Sequence, residues 1–376
     1  MPSQAAQLVI PSPDIGGRYV LLGSLRKGGM GAVFRVRDRR MDRMLVAKTI
    51  LLPENAGPQE RREMRERFRR EAELAARLAH PNIVQIHDLI PEGPWIIMEF
   101  VEGPTLRDVL DERPLAVGLT LEIARQTLRA LSYLHAKGAI HRDISPDNLM
   151  LTRDPDGAPL VKLIDLGIAR HVSDDGQLTG KGGFIGKLRY ASPEHLEDME
   201  PLAVPSDIFS FGVVLYELLT GRHPFAGRSA SWRRGRRHPD PLAFAVSDPQ
   251  GRIPADLRAI VQTALEAEPQ RRFGSAEELA ARLAAVRARF PWQPEEVDSV
   301  LGALPRERPI VPREAKGRGG EVTRLSLDRI PLVHQATKPP QRSKPAPSDP
   351  VPAPGARRMF LGFAMALLGL GPRRSP

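Results

Sequence analysis

The chain has 376 residues, enough for two compact units or one large bilobal unit with extensions, and its 41% hydrophobic content supplies a sizeable core. It has no cysteine, which excludes disulfides, zinc–thiolate sites and thiol catalysis. The formal charge is +10, yet from Pro305 to Pro376 there are 14 Lys and Arg against 5 acidic residues, so the basicity belongs to the tail and the rest is nearly neutral.

Residues 1–17 are polar, contain Pro and Gly, and read as a loose segment. The opening has neither a basic n-region nor a long apolar core, so no signal peptide is expected and the folded part is expected in the cytoplasm. Alternating apolar residues then predict three antiparallel strands over Tyr19–Leu25, Ala32–Val36 and Met44–Leu52. Between the first two lies Leu25-Arg26-Lys27-Gly28-Gly29-Met30-Gly31-Ala32-Val33. Its glycines let backbone N–H groups approach phosphate oxygens, or simply close a hairpin; the segment alone supports both.

Val46-Ala47-Lys48 places a lysine in the third strand. From Gln59 to Ala79, Met64, Phe68, Ala72, Ala75 and Leu78 form a helical stripe with Glu71 on or beside it. Trp95–Val101 reads as a strand and Thr120–His135 as a helix. Ser206–Leu219 is apolar nearly all round and must therefore be buried. Ser275–Phe290 is a last Ala-rich helix.

The densest chemistry lies in His141-Arg142-Asp143-Ile144-Ser145-Pro146-Asp147-Asn148-Leu149-Met150. A turn at Asp154-Pro155-Asp156-Gly157 folds the apolar run after Asn148 onto Leu160–Ile164, which brings Asn148 near Asp165. A few oxygen ligands of this kind suit Mg²⁺, which completes its shell with water and substrate phosphates. Asp143 is then free to orient an attacking hydroxyl.

With these motifs in order, the chain from about residue 18 to 290 resembles the bacterial eukaryotic-like (Hanks-type) serine/threonine protein kinases. The resemblance implies an α+β, bilobal protein-kinase fold. A small antiparallel β-sheet lobe with one helix would span residues 18–101, and a larger, mainly helical lobe residues 102–290. It implies ATP and Mg²⁺ as cofactors and protein serine or threonine as acceptor, with autophosphorylation and hence a homodimer as a further expectation. The catalytic set would be Asp143, Lys48, Glu71 and Asn148, with Lys48 paired to Glu71. The ATP site would use Gly28, Gly31, Val33, Ala47, Lys48, Met98, the backbones of Glu99 and Val101, and Met150. Magnesium would fall to Asn148 and Asp165. Asp207 would tie the catalytic loop to the buried helix, and Glu194 with Arg272 would form a buried ion pair.

Three departures from the family pattern stand out. Arg26 occupies the first glycine position of the loop; Ser145 stands where a lysine is usual; and Lys187 replaces a threonine. Lys187 is therefore a candidate to restore the positive charge that Ser145 lacks, the alternatives being a solvent-facing lysine or a catalytically silent, nucleotide-binding docking module. Arg142 beside Asp143 suggests an activation segment ordered by phosphate, with Thr179 and then Ser173 as sites. Residues 291–358, rich in Pro, Arg and Gly, read as a disordered linker. The apolar run Met359–Gly371, flanked by arginine pairs, is too short for a conventional span and predicts shallow association with an anionic membrane surface. No nucleic-acid recognition motif accompanies the basic residues, so nucleic acid is not expected as a partner.

Overall fold

The computed structural model describes residues 14–28, 31–50, 56–90, 93–110, 114–165, 187–197, 202–227 and 238–302, the side chains of Lys27, Glu71, Lys187 and Leu188 excepted. The first part is a six-stranded sheet built from β1 (Asp14–Ile15), β2 (Tyr19–Gly28), β3 (Gly31–Asp38), β4 (Arg43–Ile50), β5 (Ile86–Ile90) and β6 (Trp95–Glu99), in the order β1-β2-β3-β4-β6-β5 and antiparallel at each pairing. One helix, α1 (Pro58–Ala76), interrupts the strand sequence between β4 and β5. Proline opens it at the position where a missing N–H costs nothing.

The sheet has two apolar faces, as the period of two requires. Tyr19, Phe34, Val36, Leu45, Ala47 and Ile97 are buried on one. Val46, Ile50, Ile96 and Met98 are buried on the other, together with Phe68, Ala72 and Ala75 from the α1 stripe. Gly31 must be glycine for packing reasons alone, because a Cβ there would run into the Thr49 carbonyl oxygen of the neighbouring strand.

One expectation from the sequence needs correcting here: part of the segment 1–17 is ordered. Gly16 and Gly17 take positive φ (58° and 67°), which turns β1 back onto β2 and buries Ile15.

The second part is mainly helical. It contains α2 (Leu106–Leu110), α3 (Val117–Ala136), the hairpin β7 (Leu149–Arg153) with β8 (Pro159–Leu163), and then α4 (Pro193–Leu196), α5 (Val204–Thr220), α6 (Phe244–Ser247), α7 (Ala255–Ala264), α8 (Ala276–Arg289) and α9 (Pro294–Leu301). α5 is the predicted all-apolar helix, buried from Ser206 to Thr220, and it shares one core with α3, α7 and α8.

α9 is a second correction, because the linker expected from residue 291 does not begin there. Pro294 occupies the first turn, Gln293 and Glu296 form a reciprocal capping box, and Val297 and Val300 are buried in the same core. These local signals outweigh a proline-rich composition.

Candidate active site

The catalytic loop is held from below by a single carboxylate. Asp207, in the first turn of α5 and 1% exposed, accepts from the backbone N–H of His141 (2.8 Å) and of Arg142 (2.9 Å), and lies 2.9 Å from His135 Nε2. Arg142 sits at φ 64°, a left-handed conformation that side chains other than glycine rarely adopt. The bond from its N–H to Asp207 supports that conformation, and Asp143 follows it in the loop. The Asp143 N–H donates to His141 Nδ1 at 3.2 Å, so that nitrogen carries no proton. Burial pushes the His141 pKa below the ordinary histidine value, in keeping with a neutral ring.

Asn148 closes the loop. Its Nδ2 donates to the Asp143 carbonyl (2.7 Å) and to Asp143 Oδ2 (3.0 Å), and its own carbonyl accepts from Ile164 N–H (3.0 Å). The β7–β8 register, Leu149 opposite Leu163, therefore brings Asn148 beside Asp165, as the hairpin geometry predicts. With Nδ2 spent on Asp143, the Asn148 amide keeps its oxygen as a ligand atom. Together with the Asp165 carboxylate this is a small, oxygen-only donor set, which fits Mg²⁺ and not a thiolate- or imidazole-seeking metal.

From the sheet side, Lys48 Nζ reaches Asp165 Oδ1 at 2.8 Å. Lys48 and Asp165 thus link the third of the predicted strands to the end of the hairpin. Glu71, the expected partner of Lys48, is on α1, but its side chain lies outside the described residues.

An apolar cluster lies beside this charged edge. Val46 pairs in register with Met98, and both are buried on the face of β4 and β6 that also carries Lys48. Val101 is buried in the same cluster, and Leu25, Val33, Met150 and Ile164 pack against it while partly exposed. The cluster therefore draws residues from both parts of the fold. Glu99 sends its N–H to the Gln85 carbonyl (2.9 Å) and its carboxylate to Lys162 (2.8 Å).

Ala47 must be removed from the expected ATP set. It is fully buried on the opposite face of the sheet, among Phe34, Leu45 and Ile97. Strand alternation counted back from Lys48 would have selected Val46, and the same count applied to β2 and β3 would have added Leu25 beside Val33. Gly28 and Gly31 pair across the end of the β2–β3 hairpin. Ser145 is 2% exposed and its hydroxyl has no hydrogen-bond partner among the described residues. The Lys187 backbone belongs to a 3-10 turn, Lys187–Tyr190; its side chain, like Thr179, Ser173 and the apolar run 359–371, lies outside the described residues.

The expected buried ion pair is present. Arg272 gives both terminal nitrogens to Glu194 (2.8 Å each) and the rest of its donors to the carbonyls of Pro205, Glu266 and Ala267. Burial would raise the Glu194 pKa, but the Arg272 bonds and charge and the Ser206 hydroxyl hold it below the ordinary carboxylate value.

Comparison with known proteins agrees with this geometry. The family described as the protein kinase domain matches residues 19–283. A probable serine/threonine-protein kinase of Streptomyces coelicolor is 38% identical over 77% of this chain and 42% of its own length. The serine/threonine-protein kinase PknB of Mycobacterium leprae is 36% identical over 77% of this chain and 46% of its own length. The chain thus spans less than half the length of these curated relatives. Among solved structures, the PknI kinase domain of Mycobacterium tuberculosis superposes with a TM-score of 0.55 at 27% identity, covering 74% of this chain and 98% of that one. With the family match extending over most of the chain and the catalytic loop, hairpin and lysine strand assembled as described, this protein belongs to the protein kinase family.

Proposed function

We propose that this chain transfers the γ-phosphoryl group of ATP to serine or threonine hydroxyls of proteins, itself included. The observation that carries this reading is the convergence of Asp143, Asn148, Lys48 and Asp165 beside an apolar cluster. In this reading the adenine packs on the partly exposed side of this cluster, beside the backbones of Glu99 and Val101, and Lys48 grips the inner phosphates. Asn148 and Asp165 are the residues that hold magnesium. When bound, that ion neutralises charge on the phosphates. Asp143, oriented by Asn148, accepts the proton of the attacking hydroxyl, so the oxygen is directed at the γ-phosphorus. Little covalent work falls to the protein, and placement and charge supply most of the rate.

The test is incorporation of labelled phosphate into the purified chain. Wild type is expected to label on serine or threonine, with Thr179 and Ser173 as the favoured positions, and Asp143→Asn to lose labelling by at least about 10²-fold, the scale of losing a general base. Equal labelling of wild type and Asp143→Asn would overturn the reading.

A further inference from the structure

Arg26 is the one loop position where this chain puts a long cation in place of the family's glycine, and the structure shows where that cation goes. Its guanidinium lies 3.5 Å from Asp147 Oδ1, across the cleft, in the 3-10 turn Pro146–Asn148 of the catalytic loop. Two features of β2 make that reach possible. The strand register slips between Ser24 and Arg26, a bulge that re-aims the side chains around it. Arg26 is also paired with Val33, which in turn pairs with Lys48, so Arg26 and Lys48 occupy one cross-strand row above the catalytic loop.

Asp147 does not meet Arg26 alone. Its other oxygen lies 3.5 Å from Arg107 Nε on α2. Arg107 pairs in turn with Glu217 of α5 (3.3 Å) and donates to the Tyr190 hydroxyl, which itself donates to Glu217. Exposure grades along this chain of charges. The Glu217 side chain is 7% exposed, Arg107 18%, Asp147 34% and Arg26 53%. The inner end is therefore anchored in the helical core, and the outer end is a pair that water and salt can open. Arg107 thus gives Asp147 a second cation, from the helical side.

We propose that Arg26 is a positioning residue that clasps the β2–β3 hairpin onto the catalytic loop through Asp147, and that this clasp slows release of nucleotide from the proposed ATP site. A glycine at this position could not make the contact. The clasp rests on the kinase reading for its consequence, since it is the nucleotide site that the hairpin covers, but the contact itself is independent of phosphoryl transfer. Because the pair is half-exposed, its effect is modest and salt-dependent.

The experiment is a double-mutant cycle in the full chain with Arg26→Ala, Asp147→Asn and both together. The two readouts are the Kd of ADP with Mg²⁺ and amide hydrogen exchange of residues 20–28 and 31–36. At low salt, Arg26→Ala should weaken ADP two- to five-fold and speed exchange in the hairpin. In the Asp147→Asn background the same change should have no further effect, and at about 0.5 M salt the difference between wild type and Arg26→Ala should vanish. Arg26→Lys should recover part of the loss. Equal effects of Arg26→Ala with and without Asp147, or effects indifferent to salt, would overturn the clasp. If wild type bound no ADP, the nucleotide reading would fall; faster hairpin exchange in Arg26→Ala alone would then still support the contact, and unchanged exchange would overturn it too.

Discussion

Asp207 and Lys48 both position parts of the same site, from opposite sides and by different means. The Asp207 carboxylate is 1% exposed, takes two backbone N–H groups of the loop it supports and meets the Nε2 of His135 on α3. Lys48 and Asp165 meet at 2.8 Å with 12% and 24% of their side chains exposed, and farther out the Arg26–Asp147 pair is more open still. Buried, multiply bonded charges are costly to disturb, because removing one partner strands the other away from water; half-exposed pairs contribute little and can exchange partners. The helical side is built to hold one geometry, and the sheet side is built to be adjusted.

The helical side should be most vulnerable at Arg272. Every guanidinium donor is satisfied and the side chain is fully buried, so Arg272→Ala leaves Glu194 without its counter-charge. A loss of about 3–5 kcal/mol is expected, read from the denaturant midpoint at constant slope. A loss below about 1 kcal/mol would mean that the helical side is not held by its buried charges.

Acid probes the same contrast with a smaller effect. His223 donates from Nε2 to the Arg189 carbonyl (2.9 Å) and accepts at Nδ1 from Phe225 N–H (3.2 Å), an arrangement only the neutral ring can make. Burial first, with the Arg189 charge adding to it, lowers the His223 pKa to about 4, and burial lowers that of His238 to about 4 as well. Unfolded histidine titrates near 6.5, so below that pH the unfolded chain binds protons that the folded chain refuses. The contribution of these two histidines is therefore full above about pH 6.5, falls on acidification and levels off near pH 4, with a loss on the order of 3 kcal/mol by pH 5 once the partly exposed His238 is discounted. Thermal melts from pH 8 to 5 check this, and a His223→Gln, His238→Gln double variant should flatten the profile. A wild-type melting temperature unchanged from pH 7 to 5 would contradict the assignment.

Much of this site is legible in the amino-acid sequence itself. Asp143, Asn148 and Asp165 are separated by short, countable spacings, and a turn-forming Asp-Pro-Asp-Gly sequence makes their meeting a matter of hairpin geometry. Misreadings arise where a local pattern has two solutions. Ala47 and Val46 both lie next to the lysine strand position, and only the alternation relative to Lys48 decides which side chain faces the cleft. Proline content masks the helix at Pro294–Leu301, although the Gln293 and Glu296 capping pair and the valines at 297 and 300 are the signals that make it. The reach of Arg26 to Asp147 has no local signature at all, since it depends on how the β2 bulge and the catalytic loop are brought together by residues between them.

The division of labour between the two sides is tested most directly by Asp207→Asn, measured for both kcat and ADP Kd in the folded variant at 25 °C. Replacing one carboxylate oxygen by an amide N–H₂ sets a donor against a donor of the catalytic loop, and a misplacement of that loop by about 1 Å costs on the order of 10²-fold in rate. The expected result is kcat lower by about that factor with ADP affinity within about twofold of wild type, since the apolar cluster and Lys48 are untouched. An unchanged kcat, or an ADP affinity that falls as far as kcat does, would contradict this division.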